Sequence, residues 1–136
     1  MDVQDKRALI QHRLATAKDD LETAQILFRA RKYRKAISSA YYTIFHVASA
    51  ALLWHDQERV KHSGVESEFS FLLIKPGKVE EEYGKIYSRA RRERERSDYD
   101  VLATPPTTAD AQAILADAER FVARMERYLR DVGALK

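Results

Sequence analysis

The stretch AISSAYYTIFHVASAALL, residues 36–53, decides the fold class of this chain. It contains no Asp, Glu, Lys or Arg, no glycine and no proline, and nearly every position is apolar or small. A helix that is apolar on all sides is typically buried in the core of a protein. We therefore predict a central helix that runs from about Tyr33 to Trp54.

Amphipathic segments are predicted on both sides of the central helix. Residues four and three apart lie on the same face of a helix. The stripe before the central helix comprises Ile10, Leu14, Ala17, Leu21, Ala24 and Phe28. The stripe near the end of the chain comprises Ala111, Ile114, Ala118, Phe121, Met125 and Tyr128, and Thr107 or Thr108 is expected to cap that helix.

Two further helices are predicted between these segments. Residues 63–66 fit a capping box, in which Ser63 and Glu66 satisfy the first backbone N–H groups of a short helix. A longer helix is predicted from Val79 to about Ser97, with Val79, Tyr83, Ile86 and Ala90 on one face. The pattern indicates an all-α fold, an antiparallel bundle of four to five helices in a single domain, 1–136. The central helix is apolar on more of its surface than one bundle needs, so either the short helix or a second copy of the protein covers the excess, and we favour a homodimer.

Composition narrows the class of function. The chain has 136 residues and no cysteine, so disulfides, thiolate metal sites and cysteine nucleophiles are excluded. We find neither a signal peptide nor a run of about 20 apolar residues, and expect a cytoplasmic protein that does not enter a membrane. The net charge of +3 favours a polyanion partner only weakly, because 33% of the residues are charged and the signs nearly cancel.

The segment RRERERSDYD, residues 91–100, carries the most unusual local charge. At about 100° per residue, Arg94 continues the apolar stripe of its helix and points toward the packed side. A buried guanidinium needs a carboxylate, a phosphate or a wet cleft, and Asp98 lies four residues on. One interpretation is an ordinary intrahelical pair at a solvated helix end. The other is an anion site that recognises phosphate.

Under the second interpretation, the remaining arginines of the segment would face RNA. Arg91, Arg92 and Arg96 are candidate phosphate ligands, and Tyr99 could stack on a base. His62, just before the predicted capping box, is either a polar residue at a helix entry or a further ligand. The four histidines of the chain show no metal-ligand spacing, and no glycine-rich phosphate loop is present. The sequence therefore predicts neither a metal nor a cofactor.

Three segments, taken in order, resemble the HEPN superfamily: residues 36–53, then KHSGV at residues 61–65, then RERSDYD at residues 94–100. The likeness is to its small prokaryotic branch, which ends in Arg-x-x-x-Asp-Tyr, and covers roughly residues 33–99. It implies a dimerising helical bundle, often the toxin partner of a minimal nucleotidyltransferase that acts as antitoxin. Many such proteins are metal-independent endoribonucleases in which an Arg-x(4–6)-His motif from each protomer meets at the dimer cleft.

Carried onto this chain, the resemblance implies that Arg94 holds the phosphate, with Arg92 as the alternative because it stands six residues before Asp98. Tyr99 matches a tyrosine that, in some relatives, the partner nucleotidyltransferase modifies with AMP. Asp98 stands where an active nuclease has histidine, although aspartates titrate near pH 4, far from neutrality. Three possibilities follow: an unusually basic Asp98, a contribution from His62, or a non-catalytic module that binds nucleotide or docks the nucleotidyltransferase.

Overall fold

Helix α2 (Tyr33–Trp54) lies at the centre of the fold and contacts every other helix of the bundle. The computed structural model describes residues 1–57, 61–100, 102 and 104–136. Around α2 lie three long helices and one short one, and the described residues contain no strand. These are α1 (Val3–Arg29), α3 (Val65–Phe69), α4 (Glu81–Tyr99) and α5 (Thr108–Asp131). The predicted all-α bundle is confirmed.

The apolar composition of α2 is explained by its burial. One helix of the described chain, α2, is long and apolar enough to span a membrane, yet 67% of its most apolar window is buried inside the bundle. Its one fully buried polar side chain, Thr43, donates a hydrogen bond to the Ser39 carbonyl oxygen at 3.0 Å. The helix therefore carries almost no unsatisfied polar group into the core.

The ends of the outer helices follow ordinary capping rules. Thr107 accepts a hydrogen bond from the Asp110 N–H, and Asp110 accepts one from the Thr107 N–H, so the predicted cap of α5 is confirmed. The apolar stripe predicted for α5 is buried throughout. The stripe predicted for α1 is buried at four positions, whereas Leu21 and Phe28 are half-buried.

The turn between α1 and α2 contains a strained residue. Arg31 has a φ of 63°, in the left-handed region. The Lys32 N–H donates to the Leu27 carbonyl at 2.8 Å and the Arg31 N–H to the Phe28 carbonyl at 3.0 Å, which is the Schellman pattern. Glycine is the usual residue at this point, and a side chain there costs about 1 kcal/mol.

The capping box predicted at residues 63–66 is wrong. A 3₁₀ turn (His62–Gly64) leads into α3, and no side chain caps its first N–H groups. Glu66 instead accepts a hydrogen bond from Arg91 Nε on α4 at 2.6 Å. A charge-assisted bond to a guanidinium is stronger than a bond to a neutral amide, so the glutamate joins two helices rather than closing one.

The bounds predicted for α4 are shifted by two residues. Val79 lies in the connection before the helix, after a π-helical turn (Ser70–Ile74), but its side chain is buried as expected. The stripe that continues from it, including Tyr83, Ile86 and Ala90, is buried as well. Helix α4 thus presents the predicted face to α2, and this face positions Arg94.

Candidate functional site

A cleft of about 570 Å³ opens between α2, the 3₁₀ turn and α4. We call it the Arg94 cleft. Its lining includes Tyr41, Lys61, His62, Glu66, Arg91 and Arg94. Residues of α2, of the KHSGV segment and of α4 therefore meet at one place.

Arg94 lies against an aromatic surface at this cleft. Its side chain is only 15% exposed, and its guanidinium carbon is 5.0 Å from the ring centroid of Tyr41 and 5.1 Å from that of Tyr42. Tyr99 contributes a third ring at 5.7 Å, and its hydroxyl accepts a hydrogen bond from Arg94 Nη2 at 3.1 Å. Aromatic faces stabilise a cation without neutralising it, so Arg94 keeps its full positive charge available for an anion.

Asp98 contributes less to Arg94 than the sequence predicts. Its Oδ2 atom lies 3.8 Å from Arg94 Nε, which is an ion pair but too long for a hydrogen bond. Within the described residues, Arg94 Nε is buried without a hydrogen-bond acceptor. Asp98 therefore does not use up the hydrogen-bonding capacity of the guanidinium.

His62 enters the same cleft from the 3₁₀ turn. Its ring stacks on Phe45 with the ring centroids 4.2 Å apart, and its Nε2 atom forms a hydrogen bond of 2.9 Å with the Tyr41 hydroxyl. Because Tyr41 also contacts Arg94, one tyrosine connects the cation to the imidazole. The sequence predicted His62 only as one of several possible contributors, and the fold brings it to the Arg94 cleft.

The hydroxyls of Tyr41 and Tyr87 stay protonated at neutral pH. Burial raises the pKa of Tyr41, although the neighbouring Arg94 charge opposes the shift. Burial also raises the pKa of Tyr87 far above its usual range. Tyr41 therefore meets His62 as a neutral hydroxyl, able to donate or accept the hydrogen bond as the imidazole requires.

Arg91, a predicted phosphate ligand, lines the cleft but is already paired. Its Nε atom donates to Glu66 at 2.6 Å and its Nη1 atom to Glu95 at 3.4 Å. The bond to Glu66 raises the pKa of Arg91 above its usual value. This arginine holds α3 against α4, which fixes the segment that carries His62.

The other two arginines of the run differ from each other. Arg96 pairs with Glu93 and donates a hydrogen bond of 2.8 Å to the Thr104 carbonyl, so it secures the chain after α4. Arg92 is exposed to solvent on the outer face of the helix. Neither lines the Arg94 cleft.

Tyr41 and Tyr42 were not predicted from the sequence as residues of the site. Tyr41 and Tyr42 do pack against the bundle, but they also form the surface on which Arg94 lies. The clue in the sequence is the clustering of Tyr41, Tyr42 and Phe45 within about one turn of helix, since a single face of aromatic rings suits a cation. Among the described residues, no three His, Asp or Glu side chains are arranged to hold a metal ion.

Comparison with known proteins agrees with the resemblance seen in the sequence. The family model for the HEPN domain matches residues 10–128. A candidate toxin of Methanocaldococcus jannaschii is 36% identical over 129 residues, covering 95% of each chain. A UPF0332 protein of Thermotoga maritima is 29% identical over 130 residues, covering 96% of this chain and 98% of its own. A second M. jannaschii candidate toxin is 28% identical over 136 residues, covering all of this chain and 91% of its own.

Proposed function

The chain belongs to the HEPN family, and from that premise we propose that it is a toxin-like endoribonuclease that cleaves RNA without a metal ion. The observation that carries the proposal is the meeting of Arg94 and His62 at Tyr41. A fixed positive charge and a side chain that can accept and donate a proton are the two parts that metal-free phosphodiester cleavage requires. The relatives named as candidate toxins support it, since cleavage of cellular RNA would be toxic in the cytoplasm.

The proposed chemistry is an internal transfer. The ribose 2′-oxygen attacks the adjacent phosphorus and loses its proton, while the bond from phosphorus to the 5′-oxygen breaks and that oxygen gains a proton. The products are a 2′,3′-cyclic phosphate and a 5′-hydroxyl end. Arg94 stabilises the charge that develops on the phosphate oxygens, and His62 takes up and returns the proton. Histidine is the side chain that most often serves in this role.

A homodimer would complete the site. Tyr42, Phe45 and His46 form a half-exposed face of α2 beside His62. Half-exposed aromatic side chains in a row favour burial against a second copy, by closed two-fold pairing. Two Arg94 clefts that face each other would bring the two His62 side chains of the dimer to one site.

A specific observation also favours a second candidate function. Tyr99 is 67% exposed at the end of α4, with its hydroxyl held by Arg94. An exposed, oriented hydroxyl beside a cation is what a nucleotidyltransferase would need to transfer AMP onto tyrosine. Under this alternative the protein is a non-catalytic module that docks a minimal nucleotidyltransferase through the Arg94 cleft.

The test is RNA cleavage in excess chelator. End-labelled single-stranded RNA is incubated with the wild type, with Arg94→Ala and with Arg92→Ala, the last being a matched control on the exposed face of the same helix. We expect cyclic phosphate ends from the wild type and from Arg92→Ala, no cleavage of DNA of the same sequence, and loss of activity in Arg94→Ala. A folded wild-type protein that leaves RNA intact would overturn the nuclease proposal and favour the docking module.

A further inference from the structure

A second cleft of about 420 Å³ lies between the C-terminal end of α4 and the N-terminal end of α2, beside the Arg94 cleft. We call it the basic-turn cleft, because one of its walls is the turn between α1 and α2 together with the first residues of α2. Its lining includes Arg31, Tyr33, Arg34, Ser97, Asp98 and Pro106. Its volume is within the range of sites that bind small molecules.

The basic turn supplies positive charge to this cleft that no acidic residue of the turn balances. Residues 29–35, RARKYRK, contain five cations and no acidic residue. Arg31 and Arg34 are exposed, and the ion pairs of the described residues involve neither of them. A guanidinium binds phosphate through two parallel N–H groups, so two guanidinium groups on one wall suit a phosphate ligand.

The backbone at Arg31 strengthens this interpretation. Its φ of 63° is a conformation in which glycine is the favoured residue. The turn nevertheless carries an arginine there, and the side chain reaches the lining of the cleft. Non-glycine residues in such backbone conformations cluster at functional sites.

The other walls match a nucleoside rather than a bare anion. The ring of Tyr33 is fixed by a hydrogen bond of 2.8 Å from Thr108 Oγ to its hydroxyl, and it lines the cleft together with Pro106. Asp98 and Asp100 also line the cleft, and carboxylates repel phosphate but accept hydrogen bonds from the amino groups of a base. Ser97 lines it as well, and within the described residues its hydroxyl is buried without a partner.

We propose that the basic-turn cleft binds one nucleotide, with Arg31 and Arg34 on its phosphate and Tyr33 against its base. Asp98 lines this cleft and is paired with Arg94 of the first one, so the two clefts are neighbours along α4. The nucleotide is therefore a residue of the RNA strand that flanks the phosphate held in the Arg94 cleft. This part of the inference rests on the proposed function.

The test compares two variants that remove the same charge from the same turn. The double variant Arg31→Gly, Arg34→Gln removes both arginines from the wall of the cleft. Glycine also relieves the backbone strain at residue 31, so we expect this variant to keep the fold. Lys32→Gln with Lys35→Gln removes two exposed cations that do not line the cleft. The probe is a fluorescein-labelled ten-nucleotide 2′-O-methyl RNA, which cannot be cleaved because the attacking hydroxyl is blocked, and binding is followed by fluorescence anisotropy.

We expect the arginine variant to bind the probe at least about tenfold more weakly than the lysine variant. It should also lower the slope of log affinity against log salt by about 1, as the loss of one or two phosphate contacts requires. Equal weakening in both variants, or wild-type affinity in the arginine variant, would overturn the proposal.

A titration with AMP alone distinguishes a free nucleotide from an RNA residue. Displacement of the probe by AMP from the wild type shows that one nucleotide is enough for the site, whereas a probe that resists AMP shows that the strand is needed. A wild type that binds neither RNA nor AMP overturns the proposal. If binding depends on the cleft but RNA is not cleaved, the nucleotide site stands and only the nuclease proposal fails. If RNA is cleaved but the arginine variant binds the probe like the wild type, the nuclease proposal stands and the nucleotide site fails.

Discussion

The Tyr41 hydroxyl lies 2.9 Å from His62 Nε2, while the ring of the same tyrosine lies 5.0 Å from the guanidinium carbon of Arg94. One side chain of the central helix thus orients an imidazole with its hydroxyl and supports a cation with its face. The two partners come from the 3₁₀ turn and from α4, which are far apart along the chain. Tyr41 therefore couples the position of His62 to that of Arg94.

Removing only the hydroxyl of Tyr41 should slow RNA cleavage. Tyr41→Phe keeps the ring under Arg94 but removes the hydrogen bond to His62. A neutral hydrogen bond contributes about 0.5–1.5 kcal/mol, so we expect the initial cleavage rate to fall by about two- to thirteenfold. Tyr42→Phe is the matched control, because the ring of Tyr42 also contacts Arg94 while its hydroxyl does not contact His62. Equal rates for the two variants would contradict the coupling.

The pair formed by Glu66 and Arg91 should stabilise the segment that carries His62. We expect a double-mutant cycle of Glu66→Gln and Arg91→Gln, measured by urea unfolding, to give a coupling free energy of about 0.5–1 kcal/mol, at the upper end for partly exposed pairs. The 2.6 Å bond between the two side chains is the reason. Arg92→Gln, on the exposed face, should leave the free energy of unfolding unchanged. Additive effects of the Glu66 and Arg91 substitutions would show that the bond contributes nothing.

Stability should fall when the pH is lowered from 7.5 to 5.5. Burial lowers the pKa of His46 and of His55 below the ordinary value of 6.5. In this pH range the unfolded chain therefore binds more protons than the folded one, so acid favours unfolding. Burial raises the pKa of Asp20, which acts in the opposite sense. The effect is modest, because both histidines are only half-buried.

The measurement for this prediction is the unfolding temperature across the pH range. His46→Gln removes one of the two titrating groups and should make the dependence shallower than in the wild type. His12→Gln, on the exposed surface of α1, serves as the matched substitution. A wild type that becomes more stable toward pH 5.5 would show that the predicted direction of the pH dependence is wrong.

The sequence predicts the parts of this molecule that depend on local periodicity. The burial of α2, the capping of α5 by Thr107 and the inward direction of Arg94 all follow from residue spacing within one helix. Each could be predicted because spacings of three and four residues have the same meaning in any helix.

The position of His62 could not be predicted in this way. It depends on how a short turn packs across two helices, and no spacing within the turn encodes that. Glu66 shows the same limit, since its local pattern fits a helix cap while Arg91, 25 residues away, provides a stronger partner. The role of Tyr41 was missed because an aromatic residue on a buried helix has the same pattern whether or not it supports a cation.

The central claim is that His62, and not Asp98, takes the place of the histidine in the HEPN nuclease motif. The most direct test is the initial rate of RNA cleavage in excess chelator for His62→Gln and for Asp98→Asn, with circular dichroism to show that both variants fold. General acid and base catalysis contributes about 10²- to 10⁴-fold to a rate, so we predict a loss of at least about 100-fold for His62→Gln and a loss below about tenfold for Asp98→Asn, the scale of one hydrogen bond. An active His62→Gln variant alongside an inactive Asp98→Asn variant would contradict the account.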